Sequence, residues 1–335
     1  IEVVVSDNYS SIGTYNVVSK FNDKRIQYYR TDKRLSMVEN FEQSIKLAKG
    51  DYLTILGDDD CIVPDMLCEI EKHLTPDVPV CWMRFPYFWP NATEQKNKLF
   101  VNKAQYFTRL PSEISLEFLL QFFLNYQYFP SLYNSIVHRD IVDRIIEYNH
   151  NNFGISVFYI GGVISPDVFS AMLIMKFTES YVFSGVPFSL SGISKFSNGI
   201  GASNNYENRD SKLFSKEFGK NKISEMFHSS LPKVDNVHLS VLSDHLLFID
   251  NYIQNEVKKS SKTTVRSACK YFQEKALVDD ESIGELLNNY SIEKYSVEAL
   301  NANIVGGDNA SLFCIPTNNM MVVDCSLHSV FDAYG

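Results

Sequence analysis

The chain has 335 residues, with 31 Lys and Arg against 40 Asp and Glu, for a formal charge of −9. A hydrophobic fraction of 45% with 13% aromatic residues supplies a large core and excludes global disorder. The acidic balance argues against a nucleic-acid binder, which needs clustered Lys and Arg for phosphate contacts.

Residues 1–6 form a short β-branched run with the look of a strand buried on both faces of a parallel sheet. Ser10 and Ser11 can cap a helix reaching about Phe21, and residues 25–30 read as a second strand. Apolar spacing at Met37, Phe41, Ile45 and Ala48 predicts a helix, and Gly50 stops it. A strand over 52–56 runs into Gly57-Asp58-Asp59-Asp60, and a fourth strand is predicted over 80–85. This alternation implies right-handed βαβ units and an α/β fold, with a doubly wound, mainly parallel sheet flanked by helices.

Beyond Trp89 the pattern loosens. Residues 91–102 read as a loop or hairpin, 112–125 as helix, 132–137 as strand and 140–148 as helix. Pro166 marks the entry to an apolar helix ending near Phe177. Residues 184–205, rich in Ser, Gly and Asn, read as a long loop. Helical stripes over 211–227, 239–257 and 263–277 mark a mostly helical carboxyl-terminal region, and 312–323 reads as extended. The expected division is therefore 1–205 and 206–335.

None of Cys61, Cys68, Cys81, Cys269, Cys314 and Cys325 forms a C-x-x-C pair or stands at zinc-ligand spacing. They read as reduced thiols of a cytosolic protein. No apolar run approaches the ~18–20 residues of a membrane span, so no transmembrane segment is expected. The opening residues read as a strand and not as a signal peptide.

Ligands bind outside the carboxyl ends of strands in doubly wound sheets, and both Asp7 and Asp58–Asp60 fall at such ends. Three adjacent carboxylates are costly to hold together without a cation, and hard oxygen donors suit Mn²⁺ or Mg²⁺ bound together with substrate phosphates. The plainer alternative is a solvated acidic turn. Asp7 could accept from a nucleobase or ribose, or could simply serve the turn in Ser-Asp-Asn-Tyr-Ser. Arg30, Lys33 and Arg34 could neutralise phosphate or be solvated surface. Asp167 could be a base or a helix-start acid favoured by the dipole. His138 and His245 read as structural rather than metal-binding.

Residues 1–8, Tyr-Tyr-Arg-x-Asp at 28–32, Asn40, Ala-Lys-Gly-Asp-Tyr at 48–52, Gly57-Asp58-Asp59-Asp60 and Pro64-Asp65 together resemble family 2 glycosyltransferases of the GT-A fold. The resemblance is good over about residues 1–70, continues more weakly through Asp167 and the Ser-rich loop, and stops near 205. Gly57 stands where many members carry the first acid of D-x-D. The resemblance implies that Asp7 contacts the base of a nucleotide sugar and that Asp58 faces the ribose. It implies that Asp59 binds the metal on the diphosphate and that Asp60 is a supporting or alternative ligand. Arg30, Arg34 and Asn40 belong to the donor side, Ser194, Ser197 and Asn198 to a loop closing over the diphosphate, and Asp167 is the general base.

The implied protein is an inverting, metal-dependent transferase. It would move one sugar from a UDP-type donor to a glycan or lipid-linked acceptor, in bacterial surface polysaccharide synthesis. It would work in the cytoplasm, either free or in peripheral contact with the inner membrane face. Family members begin one strand–helix unit earlier, which implies an amino-terminally truncated domain. The rival expectation is a degenerate, non-catalytic relative that binds nucleotide or glycan.

Overall fold

The computed structural model describes residues 1–63, 66–90, 98–102, 106–124, 126–193, 215–253, 257–292 and 320–324. The opening run is β1 (Val3–Asp7), followed by α1 (Ile12–Val18), β2 (Ile26–Arg30) and α2 (Met37–Leu47). β1 and β2 pair parallel from Val3 with Ile26 to Asp7 with Arg30, so the predicted βαβ unit forms. Ser36 starts α2 through a capping box: its hydroxyl accepts the Glu39 amide, and the Glu39 carboxylate accepts the Ser36 amide at 2.8 Å.

Next come β3 (Tyr52–Leu53), β4 (Cys61–Ile62), α3 (Met66–Glu71), β5 (Val80–Trp82), β6 (Phe85–Phe88), β7 (Lys98–Asn102), β8 (Phe107–Pro111) and α4 (Ser112–Leu120). They are followed by β9 (Ser135–His138), α5 (Arg139–Phe153), α6 (Pro166–Lys176), β10 (Ser180–Ser184) and β11 (Ser189–Ile193). One sheet runs β3-β9-β5-β10-β8. A second runs β12 (Met320–Asp324)-β7-β6-β11-β4.

The α/β class expected from the sequence is observed, with mixed sheets rather than mainly parallel ones. β1–β2, β5–β10 and β6–β11 pair parallel. β9 enters between β3 and β5, antiparallel to both, and so separates two strands that the sequence pattern alone would make neighbours.

Several local expectations change. The opening strand, expected to be buried on both faces, is half-exposed, and the strand expected over 52–56 is Tyr52–Leu53 alone. The strand predicted over 80–85 is two strands in two sheets, with Met83 and Arg84 at the crossing. The loop predicted over 184–205 contains β11, because Ser189 and Leu190 are buried and Ser189 accepts the Trp82 indole N–H at 2.8 Å. Of the helix predicted over 211–227, the described part is helical at 215–217 and returns only as a 3-10 helix at Ile223–Met226. Gly219, at φ +69°, breaks the continuity.

The carboxyl-terminal helices are α7 (Val237–Tyr252), α8 (Val257–Lys275) and α9 (Asp280–Asn289). α7 joins two cores. Phe248 and Tyr252 pack with Phe169 and Met172 of α6, while Leu239, Leu242 and Leu246 pack with Val265, Phe272 and Leu286. Among the described residues no helix is long and apolar enough to cross a membrane.

Candidate active site

The chain leaves β3 and turns at Gly57, whose carbonyl accepts the Asp60 amide at 3.2 Å. A Cβ at Gly57 would lie 2.1 Å from the Tyr133 hydroxyl, so only glycine allows this approach. The Asp60 side chain is buried and both of its oxygens are engaged. One accepts the Gly192 amide at 2.8 Å, the other the Arg84 guanidinium at 3.0 Å. Arg84, whose side chain is 10% exposed, also lies 4.2 Å over the Tyr133 ring. Phe41 of α2 stacks on Tyr133 with centroids 5.9 Å apart.

Burial works against the Arg84 charge. Asp60, then Tyr126, Tyr133 and Asp167, more than offset it and raise the guanidinium above its ordinary value. Burial likewise pushes the Tyr133 hydroxyl up, reinforced by Asp60, Asp59 and Asp167 around it.

Asp58 is exposed and Asp59 half-buried. The three acids therefore differ in work: Asp60 closes the turn, and Asp58 and Asp59 stand outside that clamp. Among the described residues no group of three or more His, Cys, Asp or Glu side chains converges on one point. One or two carboxylates at a strand end fit a hard divalent ion whose coordination is completed by a diphosphate.

Asp167 occupies the first turn of α6, directly after Pro166 at the helix start. It is half-buried and hydrogen-bonded to the Tyr126 hydroxyl, which burial and the Asp167 charge push up. The charge of Asp167 also acts on Arg84 and Tyr133. Tyr133 lies against Gly57 of the acid turn and under Arg84, and the charge of Asp167 acts on Arg84, Tyr126 and Tyr133. Sequence reading misses these three residues. The available signal is Arg84 itself, a lone charge in the apolar run 80–89, where burial requires a partner.

The residues expected on the donor side cluster on β1, β2 and α2 and in the loops between them. Asp7 is buried: Ser10 donates its amide to it at 2.7 Å, and the Tyr28 hydroxyl donates to its other oxygen. Burial raises the Asp7 carboxyl, but Tyr28, Ser10 and Arg30 together hold it below the usual carboxylate range. Arg30 lies 4.5 Å over the Tyr9 ring and donates to the Ser10 carbonyl at 2.8 Å. Arg34 reaches Glu217 at 2.5 Å, and Asn40 accepts the Ser6 hydroxyl at 2.8 Å. Ser194, Ser197 and Asn198 lie outside the described residues, as do Pro64 and Asp65.

The two histidines are structural. His138 caps α5, accepting the Asp140 amide at 3.2 Å. His245 is buried between the Val241 and Leu119 carbonyls, and burial pushes its pKa down to about 4.

Residues 1–145 match the family described as Glycosyl transferase family 2. Over 86 residues the chain is 34% identical to abequosyltransferase RfbV of Salmonella typhimurium, a stretch covering 24% of this chain and 26% of that protein. Over 117 residues it is 26% identical to an uncharacterized glycosyltransferase, the MG060 homolog of Mycoplasma pneumoniae, covering 29% and 39%. The chain thus spans well under half the length of these curated relatives. Among solved structures, S. aureus TarS 1–349 in complex with UDP-GlcNAc is similar over 86% of this chain and 80% of that one, at 12% identity and a TM-score of 0.41. GalNAc-T7 with UDP, GalNAc and Mn²⁺ is similar over 90% and 50%, at 11% identity and a TM-score of 0.38.

Proposed function

We propose that this protein is a metal-dependent, inverting glycosyltransferase, a reading supported by the match of residues 1–145 to the family described as Glycosyl transferase family 2. It moves one sugar from a UDP-type nucleotide sugar to a glycan or lipid-linked acceptor of a bacterial surface polysaccharide. It works in the cytoplasm, at the inner face of the membrane. The catalytic domain runs to about residue 205, with 206–335 as its helical support.

What supports this reading is that the charges of two acids from distant parts of the chain, Asp59 beside the clamped Asp60 and Asp167 on α6, both act on Tyr133. Asp59 holds Mn²⁺ or Mg²⁺, and Asp58 faces the ribose. The bound ion would stabilise charge on the departing diphosphate. Asp167 removes the proton from the acceptor hydroxyl as that oxygen attacks the anomeric carbon. Tyr126, donating to Asp167, orients the carboxylate. Asp7, tied to Tyr28 and Ser10, shapes the base-side wall, with Arg30, Arg34 and Asn40 around it.

Calorimetry with UDP and Mn²⁺ tests the donor half. Asp59→Ala is expected to abolish Mn²⁺-dependent UDP binding without lowering the melting temperature, and unchanged affinity rejects Asp59 as the ligand. UDP release from a set of UDP-hexoses tests the chemistry. Asp167→Asn is expected to keep UDP affinity and lose about 10²–10⁴-fold in turnover. Binding of UDP by the wild type with no turnover on any donor would favour the non-catalytic relative.

A further inference from the structure

The carboxyl-terminal helices reach the acceptor side of the candidate site through one buried acid. Asp244, in the middle of α7, has no exposed surface. Its two oxygens accept the backbone amides of Ile164 and Ser165, at 3.0 and 2.7 Å, across 80 and 79 residues of sequence. These amides lie immediately before the first turn of α6, where Asp167 stands. Ser165, the capping residue, makes no side-chain cap of its own, and Pro166 has no N–H to offer. The approach to α6 is therefore held from outside, by α7.

The opposite side is held as well. The Tyr159 hydroxyl donates to the Pro166 carbonyl at 3.1 Å, and Glu42 of α2 accepts the Phe158 and Tyr159 amides at 3.0 and 3.3 Å. The Asp167 carbonyl accepts the Ser170 hydroxyl at 2.9 Å. Packing alone does not call for an acid at position 244. A buried carboxyl costs stability, and an apolar side chain of the same size would fill the space but leave the Ile164 and Ser165 amides unpaired, so the acid serves those amides.

We propose that Asp244 is a positioning residue. It fixes the Ile164 and Ser165 amides, and through the Pro166 turn it keeps the Asp167 carboxylate against Tyr126 and toward the acid turn. The helical carboxyl-terminal region is thereby a working part of the acceptor side. This inference rests on the reading of Asp167 as the base.

The test compares the full-length wild type with Asp244→Asn, Asp167→Asn and the double variant. Turnover is read as UDP release from the preferred UDP-hexose, affinity as UDP calorimetry with Mn²⁺, and folding as circular dichroism. Asp244→Asn is expected to fold, to bind UDP as the wild type does and to lose about 10–100-fold in kcat, the scale of a misplaced reacting group. In the Asp167→Asn background the same change should alter turnover less than about 2-fold, because one residue acts through the other. A crystal structure of Asp244→Asn should show Asp167 withdrawn from Tyr126.

Wild-type turnover in Asp244→Asn, or an equal loss in both backgrounds, overturns the inference and leaves a purely structural tie. If Asp167→Asn itself keeps full turnover, the base reading fails. The crystallographic contact between Asp167 and Tyr126 then decides the positioning alone: retained, it overturns the inference, and lost, it upholds it. Should Asp244→Asn not fold, Tyr159→Phe removes the opposite clamp without changing packing. The same kinetic pattern then supports the network, and unchanged turnover refutes it.

Discussion

The two sides of the candidate site are built on opposite terms. On the donor side α1 has no buried residue, and Ile12, Tyr15 and Val17 are exposed beside a half-exposed β1. On the acceptor side α6 buries nine of its eleven residues, everything except Asp167 and Lys176. Asp7 is held by neighbours within its own βαβ unit, whereas Asp167 stands on an element gripped by α2, α4, α5 and α7. The proposed base must keep its geometry through the reaction, and a fully packed helix provides that. The donor side draws its order from local hydrogen bonds, and it should loosen first.

The largest difference should appear on truncating one residue from each side. Phe169 is fully buried against Phe248 and Tyr252, so Phe169→Ala is expected to cost about 3–5 kcal/mol in urea unfolding. Ile12→Ala on the exposed face of α1 should stay within about 0.5 kcal/mol. Equal losses would erase the contrast.

Arg84 links the two sides, and its removal comes next. Arg84→Ala leaves Asp60 buried without its cation, for an expected loss of about 3 kcal/mol. Arg30→Ala, at an exposed guanidinium, should cost less than about 1 kcal/mol by the same measurement. On the donor side the strongest local bond is that of Tyr28 to Asp7. Tyr28→Phe should cost about 1.5–3 kcal/mol, the range for a hydrogen bond to a charged group, and a negligible change would mean that Asp7 is held by Ser10 alone.

The last test is the pH response, and its sign separates the sides. Asp7, held low, adds stability at neutral pH, and that contribution is lost as pH falls through its folded value. Asp244 behaves oppositely. Burial pushes it up to about 8, so between about pH 4 and 8 the native state keeps a proton that the unfolded chain releases, and stability falls as pH rises. His245, pushed down to about 4, adds stability that is lost as pH drops from about 6.5 to 4. The two neighbours oppose each other below about pH 6.5, and above it the Asp244 decline stands alone. Urea midpoints should therefore fall between pH 6.5 and 8 in the wild type and stay level in Asp244→Asn.

Much of the frame is determined locally. The β-branched run at 3–5, the Ser36–Glu39 capping box and the apolar spacing of α2 specify a βαβ unit whatever surrounds it. Gly57 and the acids after it mark a strand-end turn, and Pro166 marks a helix start with Asp167 in its first turn. These signals depend on backbone sterics and hydrogen bonds between near neighbours, which one stretch of sequence contains in full. Division of labour among the three acids is a different matter, because it depends on groups far along the chain. Asp60 is taken up by Gly192, 132 residues away, and by Arg84 at a crossing between two sheets that periodicity reads as one strand. Asp244 finds its amides 79 and 80 residues back. The partner of a buried charge is chosen by desolvation and proximity in three dimensions, and neither is encoded in the spacing of a single segment.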